Sequence, residues 1–154
     1  MDTFSVAFFG HRDFNEHLRC SEKIEEIIRD LMLKNTYVEF LVGRNGEFDI
    51  FAASSVVSVK KKYDVNNSAL VLVLPYLTAE CKNNEEYFEK YYDEIEICPK
   101  SSIAHYKSAI QIRNREMVDR ADLVICFIDH KNGGAYKTVQ YAQKINKKII
   151  NLAV

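Results

Sequence analysis

The chain has 154 residues, of which 47% are hydrophobic and 28% are charged. This composition is typical of a globular protein with a packed core, and it excludes a disordered tail, a collagen-like fibre and a low-complexity linker. With 21 basic and 22 acidic residues the formal net charge is -1, so no overall positive field draws the chain to nucleic acid or to an anionic membrane.

The length suits one compact domain, which we expect to span residues 1–154. No apolar run approaches the length of a membrane-spanning helix. Residues 1–3 carry no basic leader and the apolar stretch at 4–9 is too short for the core of a signal peptide, so we expect a cytoplasmic protein with no membrane partner. The four cysteines form no C-x-x-C pair and have no histidine at ligand spacing, which favours buried, reduced thiols and implies no metal site.

Apolar runs alternate with helical patterns along the whole chain. The runs are short, continuous and stopped by glycine or proline, as expected of strands that are buried on both faces. Between them, apolar residues recur at helical spacing among charged ones, as at Ile24, Ile27, Ile28 and Leu31. The predicted elements, in chain order, are a strand at 5–9, a helix around 24–31, a strand at 38–42, a helix at 48–63, a strand at 69–74, a short helix at 85–92, a short strand at 94–98, a helix from 103 to near Arg120, a strand at 123–128, a helix at 135–145 and a closing strand at 148–154.

Strictly alternating strands and helices indicate a parallel sheet with helices on both faces. In such a sheet, ligands bind beyond the carboxyl ends of the strands, so the residues that follow each strand are the first candidates for a site. All five glycines of the chain fall in three of these turns, next to basic or amide side chains. The turns after the predicted strands comprise residues 10–13, 43–46, 75–76 and 129–134.

Glycine in these turns lets the backbone approach a ligand, and the helix that follows each turn adds free N–H groups and a positive dipole end. The turns therefore suit a phosphate group. The alternative is that each glycine only shapes a turn, because neither the G-x-G-x-x-G fingerprint nor the Walker A loop is present.

Some polar residues remain open to two interpretations. His11 and Arg12 either hold a phosphate or a ribose, or form an exposed polar turn. The other histidines, His17, His105 and His130, are interpreted as surface residues. The tyrosines at 87, 91 and 92 either stack on a base or belong to a half-buried amphipathic helix. The lysine runs at 60–62 and 147–148 are interpreted as solvated helix ends.

Five blocks stand out by their order and spacing over nearly the whole chain. They are Phe9–Arg12, Val42–Asp49 with the following Ala52 and Ala53, Val73–Tyr76, Asn114–Asp122 and Gly133–Ala142. Together they resemble the YpsA-like branch of the SLOG superfamily, a bacterial group that includes the DprA/Smf and LOG proteins. The resemblance implies an α/β fold, namely a Rossmann-like three-layer sandwich with a mostly parallel sheet.

The resemblance also implies a crevice for a nucleotide-derived ligand, such as an ADP-ribose-like molecule or a nucleotide sugar, and it allows a homo-oligomer. In that crevice, Asp49, Asn114 and Asp122 would orient the groups that hold phosphate and ribose. The ligand-binding residues that the turns and the resemblance indicate are Gly10, His11, Arg12, Gly43, Arg44, Asn45, Gly46, Pro75, Asn114, Met117, Asp122, Gly133, Gly134 and Thr138.

Two departures from the similar proteins bear on chemistry. Arg44 stands where the similar proteins carry a small residue, so it either narrows the pocket or adds a phosphate contact. LOG phosphoribohydrolases and nucleoside deoxyribosyltransferases use a carboxylate at the start of the last helix, where this chain has Thr138. A hydroxyl cannot stabilise an oxocarbenium-like charge as a carboxylate does. Glu47 and Asp49 are the candidates that would replace it.

Three functions follow, in order of preference. The first is binding or sensing of a nucleotide-derived ligand. The second is an enzyme that cleaves or transfers an N-glycosidic bond of a nucleotide, with Glu47 or Asp49 as its acidic group. The third is single-stranded DNA binding, against which the near-neutral charge speaks.

Overall fold

The computed structural model describes residues 2–154, which contain six strands and seven helices. The elements alternate as expected, with two additional short helices around the fourth strand. In chain order they are β1 (Thr3–Gly10), α1 (His17–Lys34), β2 (Tyr37–Val42), α2 (Glu47–Tyr63), β3 (Ser68–Leu74), α3 (Ala79–Asn83), α4 (Glu85–Tyr91), β4 (Glu94–Ile97), α5 (Pro99–Ser102), α6 (Tyr106–Arg120), β5 (Leu123–Phe127), α7 (Gly134–Lys144) and β6 (Lys148–Asn151).

All six strands lie in one parallel sheet with the order β4-β3-β2-β1-β5-β6. The α/β, Rossmann-like prediction is confirmed, and the sheet is parallel throughout rather than mostly so. The chain runs outward from β1 to β4 on one side and then returns to place β5 on the other side of β1. The gap between the carboxyl ends of β1 and β5 is therefore the topological switch point, where such sheets open a crevice.

Alternate residues of each strand serve two separate hydrophobic cores. On one face, Phe8 and Phe40 pack with α1 and α2, and on the other face Phe9 and Leu41 pack with α6 and α7. This period-two division explains why the strands read as continuous apolar runs, since both faces are covered. The result is a three-layer sandwich that leaves only the two strand edges and the two sheet ends for other uses.

Two boundaries and two short helices show where the structure differs from the sequence prediction. The helix expected from Ile103 begins at Tyr106, because His105 caps it by accepting a hydrogen bond from the backbone N–H of Lys107 and Ile103 is exposed. The closing strand ends at Asn151, whose side-chain amide exchanges hydrogen bonds with the backbone of Ile128 and so turns the chain. Helices α3 and α5 are too short to show a periodic pattern.

Paired charges close the amino-terminal edge of the sheet. The backbone N–H of Ser5 donates to Asp122 at 2.8 Å, and the Ser5 hydroxyl donates to Glu39 at 2.6 Å. Arg120, at the end of α6, bridges Glu39 and Glu96 with N···O distances of 2.7 and 2.9 Å. Burial favours the neutral form of Glu39, but the hydrogen bonds from Arg120 and Ser5 prevail and lower its pKa. Arg120 at this edge therefore has two carboxylate partners.

Two other expectations concern buried thiols and membranes. All four cysteines are unpaired and buried, as the sequence analysis expects. Among residues 2–154, no helix combines the length and the apolar character that crossing a bilayer requires.

Candidate ligand-binding site

A cavity of about 390 Å³ opens at the switch point, beyond the carboxyl ends of β1, β2 and β5. Its volume lies in the range of small-molecule sites. All five glycines of the chain line it, as do His11, Arg12 and Asn45 from the first two turns. The complete lining is Phe8, Phe9, Gly10, His11, Arg12, Asp13, Gly43, Asn45, Gly46, Asp49, Ile110, Arg113, Asn114, His130, Gly133, Gly134 and Ala135.

Arg113 forms the floor of the cavity and is the chain's largest fully buried side chain, with 2% of its surface exposed. Its guanidinium donates to the Val73 carbonyl and to the Asn114 side-chain oxygen, each at 2.9 Å, and to the Asn45 side-chain oxygen. These acceptors are all neutral, and no carboxylate lies within salt-bridge distance among residues 2–154. A guanidinium remains charged in proteins, so the cavity floor carries a cation whose hydrogen-bond acceptors are neutral, with the Asp49 carboxyl near enough to act on it through space.

The Arg113 network also connects the turns around the cavity. Asn114 donates from its amide nitrogen to the Thr138 hydroxyl at 3.0 Å, and that hydroxyl donates to the Gly134 carbonyl at 2.9 Å. Since Val73 ends β3 and Asn45 follows β2, one arginine links the ends of two strands to the first turn of α7. The geometry of the cavity therefore depends on residues that lie behind its wall.

Two helices point their N-termini at the cavity. They differ in whether other protein groups already bond to the helix N-terminus. At α2, the Glu47 N–H donates to the Arg12 carbonyl at 2.8 Å, and the Asp49 carboxylate accepts from the Asn45 N–H at 2.9 Å. At α7, the first turn contains no acidic residue and begins with Gly134 and Ala135 at the cavity wall. The first N–H groups of α7 have no intrahelical acceptors, so they are available to donate hydrogen bonds to an anion in the cavity.

The two candidate acidic residues have different positions. Asp49 lines the cavity, and burial raises its pKa although the Asn45 N–H and the Arg113 charge act in the opposite direction. Glu47 lies outside the cavity, because its carboxylate accepts from the Phe14 N–H at 2.9 Å and so clamps the β1–α1 loop on α2. Of the two, only Asp49 is placed to meet a ligand in this cavity.

A cluster of three side chains, His11, Asp129 and His130, lies at the β1–β5 rim of the cavity. The two imidazole rings stack with centroids 3.5 Å apart and an interplanar angle of 10°. The Asp129 N–H donates to Nε2 of His11 at 3.1 Å. Burial, followed by the neighbouring His130, lowers the pKa of His11, while Asp129 opposes the shift.

Comparisons with known proteins agree with this geometry. The model of the YspA SLOG family, named YpsA, matches residues 6–152. The chain belongs to the YspA SLOG family. No curated protein matches it with significance.

Three solved structures share the fold of this SLOG protein. DNA processing protein A from Helicobacter pylori, described for its single-stranded DNA binding mode, has a TM-score of 0.65 at 18% identity, over 95% of this chain and 63% of that one. DNA processing protein A from Streptococcus pneumoniae has a TM-score of 0.64 at 14% identity, over 96% and 49%. The protein TM1055 has a TM-score of 0.59 at 14% identity, over 95% and 72%. The chain thus spans about half to two thirds of the two DNA processing proteins.

The structure brings most of the predicted ligand-binding residues of this SLOG protein to one cavity. It brings together Gly10, His11, Arg12, Gly43, Asn45, Gly46, Asn114, Gly133 and Gly134. Their role in binding stays a prediction. Five others lie elsewhere and correct the sequence expectation, namely Arg44, Pro75, Met117, Asp122 and Thr138.

Physical causes are visible for each of the five. Arg44 turns toward α3 and α4, where it pairs with Glu80 at 3.1 Å and donates to the Tyr92 hydroxyl at 2.9 Å. Asp122 lies at the opposite end of the sheet, where it receives the Ser5 N–H. Met117 packs in the core under α6, Pro75 accepts a hydrogen bond from Ser101, and Thr138 supports the α7 turn from behind.

Two of the glycines in this SLOG protein are required because neighbouring protein atoms leave no room for a side chain. A Cβ on Gly10 would lie 2.2 Å from the Phe48 ring, and one on Gly46 would lie 2.5 Å from the Arg12 Cα. Gly133 is different, because it has a φ of 93° and nothing within 4 Å of a Cβ position. The glycine signal thus marks the correct edge of the sheet, but two of its members are required by neighbouring protein atoms.

Sequence reasoning missed Arg113 and His130 as cavity residues. Arg113 lies three residues after Ile110 and four before Met117, so helical spacing places it on the buried stripe of α6. This signal could have distinguished it from an exposed arginine such as Arg115. His130 is half-exposed, as a surface residue would be, yet it lines the cavity. Asp129 stands in the turn after β5, so its position at the rim follows from the fold.

Proposed function

We propose that this SLOG protein binds or senses a nucleotide-derived ligand in the switch-point cavity. The observation that carries the proposal is the buried Arg113 cation, which meets only neutral acceptors at the floor of a cavity that the α7 N-terminus also faces. Anionic groups are favoured beside such a cation and at a free helix N-terminus.

The ligand is expected to be a phosphate-containing nucleotide such as an ADP-ribose-like molecule or a nucleotide sugar. The backbone of the Gly133–Gly134 turn and the exposed Arg12 side chain would hold its phosphates. Asn45 and Asn114 would contact ribose hydroxyls, since both line the cavity and are held by Arg113. Asp49 would accept or donate a hydrogen bond at the ligand, depending on its protonation.

Thermal unfolding with NAD, ADP-ribose, cyclic ADP-ribose isomers, nucleotide sugars and common nucleotides tests the proposal. A ligand at 100 times its dissociation constant adds about 2.7 kcal/mol to the free energy of unfolding. Arg12→Ala is expected to reduce that gain, and Arg44→Ala provides the matched control because its guanidinium is held by Glu80 and Tyr92 outside the cavity. A panel in which no compound raises the melting temperature contradicts the proposal.

A second candidate function is cleavage or transfer at the N-glycosidic bond of a nucleotide. The observation in its favour is the Asp49 carboxyl, which lies in the cavity with a raised pKa, as a group that exchanges protons needs. Incubation with NAD and nucleoside monophosphates, followed by chromatography for free base, tests it. Base release that Asp49→Asn abolishes and Glu47→Gln retains supports the enzyme, whereas no release at high protein concentration excludes it for these substrates.

Single-stranded DNA binding is the third candidate. The similarity in fold to a DNA processing protein that binds single-stranded DNA favours it and is at odds with our expectation that nucleic acid is not a partner. The formal charge of -1 opposes it. A labelled oligonucleotide whose mobility shift weakens steeply with salt would support DNA binding, and unaltered mobility at low salt would exclude it.

A further inference from the structure

The rim cluster of His11, Asp129 and His130 includes two side chains, Asp129 and His130, to which the proposed phosphate and ribose contacts assign no role. We propose that it is a binding site for a divalent transition-metal ion with the preferences of Zn²⁺. The site stands independently of the proposed nucleotide function, although the cation would also contact any phosphate held in the cavity.

The first argument is the distance between the candidate ligand atoms. One potential ligand atom from each of the three side chains lies within 4.8 Å of the other two. The Asp129 carboxylate oxygen is 3.2 Å from Nε2 of His11 and 3.9 Å from Nε2 of His130. Ligand atoms around a tetrahedral zinc ion are separated by roughly 3.3–3.4 Å, given Zn–N and Zn–O bonds of about 2.0–2.1 Å. A rotation of the exposed His130 ring out of its stack on His11, with a small movement of Asp129, would complete that geometry.

The second argument is the orientation of the two rings. Both imidazoles place Nε2 near the same oxygen of Asp129. The rings are stacked almost parallel, so the half-exposed His130 ring must turn out of the stack for its in-plane Nε2 lone pair to meet an ion bound by His11. Nε2 of His11 already accepts an N–H group, which requires its lone pair to face Asp129 with the proton on Nδ1. That is the tautomer in which Nε2 can bind a metal, and metal binding would replace this hydrogen bond.

The third argument is the composition and openness of the cluster. Two imidazoles and one carboxylate are a donor set that transition metals such as zinc prefer, whereas Mg²⁺ and Ca²⁺ prefer oxygen. His11 is 6% exposed and so holds a fixed position, while the other two side chains are about half-exposed and accessible to an ion. Because His11 and His130 also line the cavity, the remaining coordination position would be open to water or to a ligand phosphate.

Equilibrium dialysis of the reduced full-length chain against Zn²⁺, with metal analysis of the protein, tests the site directly. We expect one equivalent of Zn²⁺ on the wild-type chain. Affinity should fall by about 10-fold or more in His130→Ala and in Asp129→Asn, both of which change half-exposed side chains that the fold does not need. His105→Asn removes another exposed histidine but keeps a side chain that can cap α6, so it is the matched control and should bind as the wild type does.

Substitution with Co²⁺ identifies the ligands, because the chain also has four cysteines. Visible bands of a four-coordinate Co²⁺ site without a near-ultraviolet thiolate band are the expected spectrum. No bound metal, equal affinity in His130→Ala, or a thiolate band would each overturn the proposal. The result leaves the nucleotide proposal intact, since thermal unfolding with AMP or ADP-ribose in the presence of a chelator measures nucleotide binding without the metal.

Discussion

The two ends of the sheet differ in how their charged side chains are paired. At the amino-terminal edge, Arg120 is held by Glu39 and Glu96, and Asp122 receives a backbone N–H group. At the carboxyl edge, Arg113 is buried among neutral oxygens, and the first turn of α7 carries no acidic side chain. Charges at the first end are satisfied within the fold, whereas those at the second end retain the capacity to bind an anion. This difference distinguishes an end of the sheet whose charges are paired from the end where we propose that a ligand binds.

The largest expected effect is at Arg113. Replacement in Arg113→Met removes three hydrogen bonds and leaves Asn45, Asn114 and the Val73 carbonyl without their donor. We expect a loss of about 3–5 kcal/mol in the free energy of unfolding, because buried polar groups become unsatisfied. Chemical denaturation measures the change. Arg115→Met is the control on the same helix, and its exposed side chain should change stability by less than about 0.5 kcal/mol. Equal effects of the two substitutions would remove Arg113 from its structural role.

A smaller effect is expected from the glycines of the cavity rim. Gly10→Ala places a methyl group against the Phe48 ring, and such overpacking typically costs about 1–3 kcal/mol. Gly133→Ala meets no atom but strains a backbone at a φ of 93°, which costs roughly 1–3 kcal/mol. Thermal unfolding gives both values. If the glycines only served a ligand, both variants would keep wild-type stability and lose only nucleotide binding.

The amino-terminal edge should respond to acid. The folded chain lowers the pKa of Glu39, so its contribution to stability is complete above the unfolded pKa of about 4.3 and is lost as the pH falls through the folded pKa. Below about pH 5, the melting temperature of the wild type should therefore fall more steeply with decreasing pH than that of Glu39→Gln. Parallel curves for the two proteins would contradict the assignment of this ion pair.

The smallest effect is expected from Arg120→Gln. Its side chain is 38% exposed, and partly exposed ion pairs contribute about 0–1 kcal/mol. Denaturation should therefore show a loss of about 1 kcal/mol or less, with nucleotide-induced stabilisation unchanged because the residue lies at the far end of the sheet. A loss of nucleotide binding in this variant would show that the two ends of the sheet are coupled, and it would contradict their independence.

The fold could be predicted from the sequence more completely than the candidate site. Short continuous apolar runs and the turns that follow them predict the strand positions and the edge of the sheet that carries the cavity, since both depend on local pattern. The direction of a side chain depends on its tertiary neighbours, and this is why Arg44 was assigned to the cavity although Glu80 and Tyr92 hold it outside. Asp122 was misplaced because it precedes a strand, at the end of the sheet opposite to the cavity.

Arg113 was missed because burial of an arginine requires acceptors from three different segments. Val73, Asn45 and Asn114 supply them only after the sheet and α6 have packed together. The rim cluster was missed for a related reason. His11 and Asp129 follow the neighbouring strands β1 and β5 but are far apart in sequence, so no spacing rule connects them.

The central position of β1 has a consequence for the order in which the protein can become active. Its neighbour on one side, β2, follows it closely, but its other neighbour, β5, begins only at Leu123. A chain emerging from the ribosome therefore holds half of the cavity wall while the other half is still unsynthesised. The two walls of the cavity can therefore come together only after the chain has been translated through α7.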